Sequence, residues 1–224
     1  MTRAEVSELI VDAVLLDMDG TLVDSTSLVY DMWGRFAVEH GLDPAEVVNF
    51  AHGTPSIATL RRFLPPHADI DAWYQRMADW ERDAFGGVTE VPGAAAFVSA
   101  LPAGRWAVVT SAIADAARAR LEGAGFPHIE FLVGADDVEQ GKPHPEPFLQ
   151  AAQQIGADIT RCVVFEDSPP GIEAGLAAGA HVVVVGNAQT EHTEGLRRID
   201  HWRDVTVSVT PLGDIAIRGI IAQA

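Results

Sequence analysis

The stretch AVLLDMDGTLVDS, residues 13–25, decides how the rest of the chain reads. Ala13 to Asp17 is a short continuous apolar run ending in an acid, the pattern of a strand covered on both faces within a parallel sheet. Asp17 and Asp19 stand one residue apart at its carboxyl end, and in open α/β sheets ligands bind outside those ends. Gly20 permits a tight turn. Thr21 adds a hydroxyl and a backbone N–H that the sequence leaves free. Taken alone, the same letters also suit an acidic turn after any strand.

Similar runs recur outward from this one: Trp106 to Thr110, Glu130 to Val133, Cys162 to Glu166 and His181 to Val185, with Val205 to Val209 as a further candidate. Segments with helical apolar spacing, such as 112–123 and 146–156, alternate with them. This alternation predicts an α/β fold with a Rossmann-like parallel sheet. One interval breaks the rhythm. Between the first two runs, Leu28, Val29, Met32, Trp33 and Phe36 form a helical stripe ending at Gly41, and Trp73, Met77, Trp80 and Ala84 form another. An inserted helical subdomain over residues 25–91 is expected, leaving 1–24 and 92–224 as the core. Its exit is the Val91-Pro92-Gly93 turn.

The formal charge of −17 disfavours nucleic acid and anionic membranes as partners. The lone Cys162 excludes an intrachain disulfide framework and fits a reducing compartment. No stretch has the length of a membrane span, and the first residues lack a signal-peptide run. A soluble cytoplasmic protein is expected, monomeric or a weak homodimer.

The run Cys162 to Glu166 ends like the first, in Glu166 and Asp167. If the two strands are adjacent, the carboxylates at their ends make an oxygen-rich site for a hard cation, and Mg²⁺ suits it best. The second run ends in Thr110 and Ser111, two hydroxyls able to donate to a phosphate oxygen. Lys142, in GKPHPEPF, is the single lysine beside fourteen arginines.

The blocks LLDMDGTLVDS (15–25), VVTSA (108–112), GKPHPEPF (141–148) and VVFEDSPPGIEAGLAAG (163–179) together resemble the haloacid dehalogenase superfamily, in its branch with a helical cap after the first strand. The resemblance implies strand order 5-4-1-2-3. It implies Asp17 as nucleophile, Asp19 as general acid/base, and Mg²⁺ held by Asp17, the Asp19 carbonyl, Glu166 and Asp167. Thr110, Ser111, Gly20 and Thr21 would hold phosphoryl oxygens, and Lys142 would place a compact positive charge beside them.

Within this superfamily, Asp19 counts against a dehalogenase, which needs no acid for the leaving group. A cap without lysine counts against a phosphonatase, which forms a Schiff base there. Ser111-Ala112-Ile113 offers no basic group for the second phosphate that a β-phosphoglucomutase-like mutase must hold. The stretch AHGTPS (51–56) is similar to caps of phosphatases acting on glycerol-3-phosphate, 2-deoxyglucose-6-phosphate and hexitol phosphates. His52 and Gly53 are therefore candidate substrate contacts. Arg61 and Arg62 are adjacent on a helix and cannot both face one ligand. Trp33 and Phe36 suit core packing better than the pocket. A Mg²⁺-dependent phosphatase of small phosphorylated sugars or polyols is expected. The mutase, a phosphoglycolate or nucleotide monophosphate phosphatase and a non-catalytic phosphometabolite sensor stay open.

Overall fold

The first apolar run forms β2 (Ala13–Leu16), which is wholly buried. In the computed structural model, which describes residues 6–51, 54–83 and 88–222, it lies between two parallel neighbours. Those are β5 (Trp106–Val109) and β7 (Cys162–Glu166). Chain order supplies the labels: β1 (Val6–Val11), β3 (Val23–Asp24), α1 (Thr26–His40), α2 (Pro44–Ala51), α3 (Ser56–Phe63), α4 (Ile70–Asp83), β4 (Thr89–Glu90) and α5 (Ala94–Ala100) precede β5. Then come α6 (Ala114–Gly123), β6 (Leu132–Val133) and α7 (Glu146–Gln154). After β7 follow α8 (Pro169–Ala178), β8 (His181–Val185), β9 (Arg197–Ile199), β10 (Thr206–Val209) and β11 (Ile215–Ile221).

The parallel order β8-β7-β2-β5-β6 corresponds to 5-4-1-2-3. Continuous apolar strands require cover on both faces, and both are covered. On one face, Leu15, Val109 and Val164 pack with Phe148 and Ala151 of α7 and Ile172 of α8. On the other, Leu16, Val108 and Phe165 pack with Phe97 of α5, Leu121 of α6 and Ile215 and Ile217 of β11.

The sheet is larger than the sequence reading anticipated. β1, β9 and β11 were not foreseen, and β10 joins β11 antiparallel instead of extending the parallel stack. Mixed sequences such as VSELIV and IAIRGII carry Glu8, Arg218 and Gly219, which hide a strand period when one face meets solvent. Asp12 alone separates β1 from β2, yet the two pair with different partners. The third run also forms a shorter strand than expected, only Leu132–Val133.

Helices α1–α4 surround their own apolar cluster, with Phe36, Val47, Leu60 and Met77 at its centre. The chain enters them beside β3 and returns beside β4, and these two short strands pair antiparallel. Asp24 Oδ1 accepts from the Thr26 N–H at 3.0 Å, which satisfies one free donor at the start of α1. No helix among the described residues is long and apolar enough to cross a membrane.

Candidate active site

Three strands end side by side, so their last side chains meet. Asp17 follows β2, Thr110 and Ser111 follow β5, and Glu166 closes β7. The loop carrying Lys142 lies against the same edge. Lys142 is 4% exposed. Its Nζ donates to Asp17 Oδ1 at 2.6 Å, to Glu166 Oε1 at 2.7 Å and to the Val109 carbonyl at 3.0 Å. Burying one ammonium alone costs several kcal/mol, on the order that only charged partners offset. Burial works against the charged form of Lys142, but Asp17 and Glu166 outweigh it and raise its pKa.

The carboxylates are in surplus. Burial first, then the charge of Glu166, pushes the Asp17 carboxyl up to about 7 in spite of Lys142. Burial, then Asp17 and Glu166, likewise raises the Asp167 carboxyl well above its ordinary value. Asp17, Glu166 and Asp167 each present an oxygen within 4.8 Å of the others. An all-oxygen set with more negative charge than one lysine neutralises fits a hard divalent cation such as Mg²⁺. Glu166 differs from the other two. Oε1 is held by Lys142, and Oε2 accepts from the Ser168 N–H at 2.8 Å and its hydroxyl at 3.0 Å. Its geometry is that of a support for Lys142 more than of an open ligand.

Two glycines make room for these acids. A Cβ on Gly20, whose φ is +88°, would lie 1.9 Å from Asp167 Oδ2. One on Gly171, in the first turn of α8, would lie 1.6 Å from Glu166 Oε1. The expected phosphate donors at Gly20 and Thr21 need correction. Gly20 N–H donates to the Val23 carbonyl at 2.7 Å and Thr21 N–H to Met18 at 3.3 Å, because the tight turn satisfies its own donors. Thr21 is buried, with its hydroxyl 3.4 Å from Asp167 Oδ1.

Thr110 and Ser111 remain suited to a phosphoryl group. Thr110 Oγ1 accepts from the Ala112 N–H at 3.1 Å, which leaves its own proton to donate. Ser111 Oγ is buried without a hydrogen-bond partner among the described residues, a costly state that a bound acceptor would relieve. A cavity of about 180 Å³ opens from Asp17, Asp19 and these hydroxyls towards α1, α2 and α4. Trp33 lines it, while Phe36 packs inside the helical cluster. His52 and Gly53 lie outside the described residues, and Arg61 and Arg62 are both exposed.

Two residues escaped the sequence reading. Arg120 lines the cavity and donates from Nη1 to Asp19 Oδ1 at 2.8 Å, so the site does contain a basic group. One signal for it existed: Arg120 stands with Ala117 and Leu121 on the buried stripe of α6, where an arginine is out of place. Trp202 donates from Nε1 to the Thr21 carbonyl at 2.8 Å. Its indole stacks on Phe97 and Phe165 with centroids 4.3 and 4.8 Å away. Its backbone N–H donates to the Pro92 carbonyl at 3.1 Å, so one residue ties the acidic loop to the segment that follows β4.

The profile of the family described as haloacid dehalogenase-like hydrolase matches residues 11–179. Hexitol phosphatase A of Escherichia coli (strain K12) is 43% identical over 212 residues, 91% of this chain and 97% of that protein. Glycerol-1-phosphate phosphohydrolase 1 of Saccharomyces cerevisiae is 34% identical over 185 residues, 77% of this chain and 74% of that one. The crystal structure of β-phosphoglucomutase from Clostridium difficile has a TM-score of 0.74 at 21% identity, covering 85% of this chain and 91% of that chain, a likeness of fold alone. The match of sequence along most of the length, on a sheet that gathers acids and hydroxyls at one edge, makes this chain an enzyme belonging to the haloacid dehalogenase-like hydrolase family.

Proposed function

We propose that the enzyme hydrolyses phosphate monoesters of small polyols or sugars, through a phosphorylated Asp17. The lining of the cavity carries this reading. Beyond Asp17 and Asp19 it presents neutral hydroxyls and amides, among them Ser25, Thr26, Asn49 and Tyr74, against the apolar Val29, Met32 and Trp33. Arg120 is the one cation among the described lining residues, and it is paired with Asp19. Such walls suit an uncharged, hydroxylated leaving group. They give little purchase to the second phosphate of a mutase substrate or to the carboxylate of phosphoglycolate. The names of the relatives, hexitol and glycerol phosphate phosphatases, support the same class.

Lys142 holds its charge against Oδ1 of Asp17. Thr110 and Ser111 donate to phosphoryl oxygens. An Asp17 oxygen bonds to phosphorus as the ester bond breaks, and Asp19 gives a proton to the departing oxygen. Asp19 then takes a proton from water as that water attacks the phosphorus, which frees phosphate and restores Asp17. Asp17, Asp167 and the Asp19 carbonyl would hold Mg²⁺, with Glu166 supporting them through Lys142. Bound there, the cation would screen the attacking carboxylate from the dianionic phosphate. We assign helices α1–α4 as a cap that selects the leaving group and excludes water. The buried, unpaired Cys162 fits a cytoplasmic setting.

The test is a phosphate-release screen with Mg²⁺ over polyol, hexose, nucleotide and glycolate monophosphates, adding glucose-1-phosphate with and without a bisphosphate. Polyol or hexose phosphates should rank highest in kcat/KM. A preference for phosphoglycolate or nucleotides, or bisphosphate-dependent isomerisation without phosphate release, would overturn the reading.

A further inference from the structure

Arg120 is 5% exposed, although α6 has solvent-facing positions to spare. A guanidinium is seldom buried unless a partner offsets its lost hydration. Arg120 donates to Asp19, 101 residues away in sequence, at the wall of the cavity that also holds Asp17. Arg118, two residues earlier on α6, makes a different bond, donating to the Ile129 carbonyl. The two arginines of the ARAR run thus part company: one closes a loop, and the other enters the site.

We propose that Arg120 is the positioning residue of the general acid: its guanidinium occupies Oδ1 of Asp19, so the transferable proton is carried on Oδ2 and presented to the ester oxygen. This rests on the role given to Asp19 under the proposed function. When Asp17 bonds to phosphorus and the ester bond breaks, the departing oxygen takes the Oδ2 proton and leaves as a neutral alcohol. Asp19 is then a carboxylate beside a fixed positive charge, which stabilises the anion that the step creates. Water returns the proton to Asp19 in the second half-reaction. Arginine suits this task because its planar fork sets the direction of a carboxylate, which a lysine point charge does not.

The consequence depends on the leaving group. An alcohol leaves poorly without a proton, whereas 4-nitrophenolate leaves well without one. kcat/KM reports the first phosphoryl transfer, so it isolates the step in question. Arg120→Met should lower kcat/KM for an alkyl phosphate such as glycerol-3-phosphate by about 10²-fold, the low end for general acid catalysis. The loss on 4-nitrophenyl phosphate should be at least about tenfold smaller, for the same reason. Arg120→Lys should recover part of the alkyl activity. Added to Asp19→Ala, the Arg120→Met change should cost little more, since both changes remove one function.

Equal losses on the two substrates, or none, would overturn the proposal, as would full additivity with Asp19→Ala. If Arg120→Met fails to fold by circular dichroism, Arg120→Lys decides on the same two substrates: an alkyl-selective loss supports the proposal, and an equal loss or none overturns it. The comparison needs only an alkyl phosphate that the wild-type enzyme turns over. Rejection of every polyol phosphate would therefore refute the substrate reading and leave this test intact.

Discussion

Lys142 Nζ lies 2.6 Å from Asp17 Oδ1, and the same nitrogen lies 2.7 Å from Glu166 Oε1. One compact cation therefore joins the proposed nucleophile to the end of the neighbouring strand. Lys142→Arg keeps the charge but brings a broad plane into a space closed by Asp17, Glu166, Val109 and the Phe148 ring. It should lower kcat by roughly 10²–10³-fold, the scale of losing one preorganised charge contact. Steady-state kinetics checks this, with circular dichroism to show retained fold. Activity within a few-fold of wild type would mean that position and shape matter less than charge.

Gly20→Ala tests the space around Asp167. The new methyl group meets the carboxylate, and φ of +88° disfavours any side chain by about 1–2 kcal/mol. Asp167 must move, so Mg²⁺ affinity and turnover should fall together while the sheet survives. Mg²⁺ titration of activity, set beside a thermal melt, separates the two effects. A lowered melting temperature with unchanged Mg²⁺ dependence would confine Gly20 to the turn.

Metal binding should depend on pH in a defined window. The Asp17 pKa is raised from the ordinary 3.8 to about 7 in the metal-free protein. A raised folded-state pKa stabilises the metal-free fold below the unfolded value, and that contribution is lost as pH rises through about 7. A cation must displace this proton and the one on Asp167, whose carboxyl is raised too, so apparent Mg²⁺ affinity should fall by at least about tenfold for each pH unit below 7. Isothermal titration from pH 5.5 to 8.5 measures this. A flat affinity would show that Asp17 is already ionised without metal.

Trp202→Phe keeps an aromatic ring against Phe97 and Phe165 but removes the N–H that reaches the Thr21 carbonyl. A net loss of about 0.5–1.5 kcal/mol is expected for the bond, with some further cost from the smaller ring. Because Thr21 follows Asp19 and Gly20, kcat should fall as well. Urea unfolding and turnover measured on the same preparation check both. A stability loss with unchanged kcat would make the indole a prop for the C-terminal segment only.

Much of the fold was legible because its signals are local. The apolar runs at Ala13–Leu16, Trp106–Val109, Cys162–Glu166 and His181–Val185 each declare a doubly covered strand within a few residues. The acids and hydroxyls that matter follow those runs directly, so their chemistry could be read before their contacts were known. The strands β1, β9 and β11 were not legible, since charged residues and a glycine, such as Glu8, Arg197, Arg198, Arg218 and Gly219, interrupt their apolar pattern. The free donors assigned to Gly20 and Thr21 also went astray, because a tight turn closes on itself in ways that composition does not reveal.

The sequence by itself determined which chemical groups stand at the edge of the sheet: Asp17, Asp19, Thr110, Ser111, Lys142, Glu166 and Asp167. Tertiary structure alone decided how they divide the work. Glu166 turns its oxygens to Lys142 and Ser168, Arg120 crosses 101 residues of chain to Asp19, and Trp202 crosses 181 to Thr21. The physical reason is burial. Near the surface these groups could each be solvated separately, but in the interior an unpaired charge or donor is costly, and only the packed fold determines which partner each one meets.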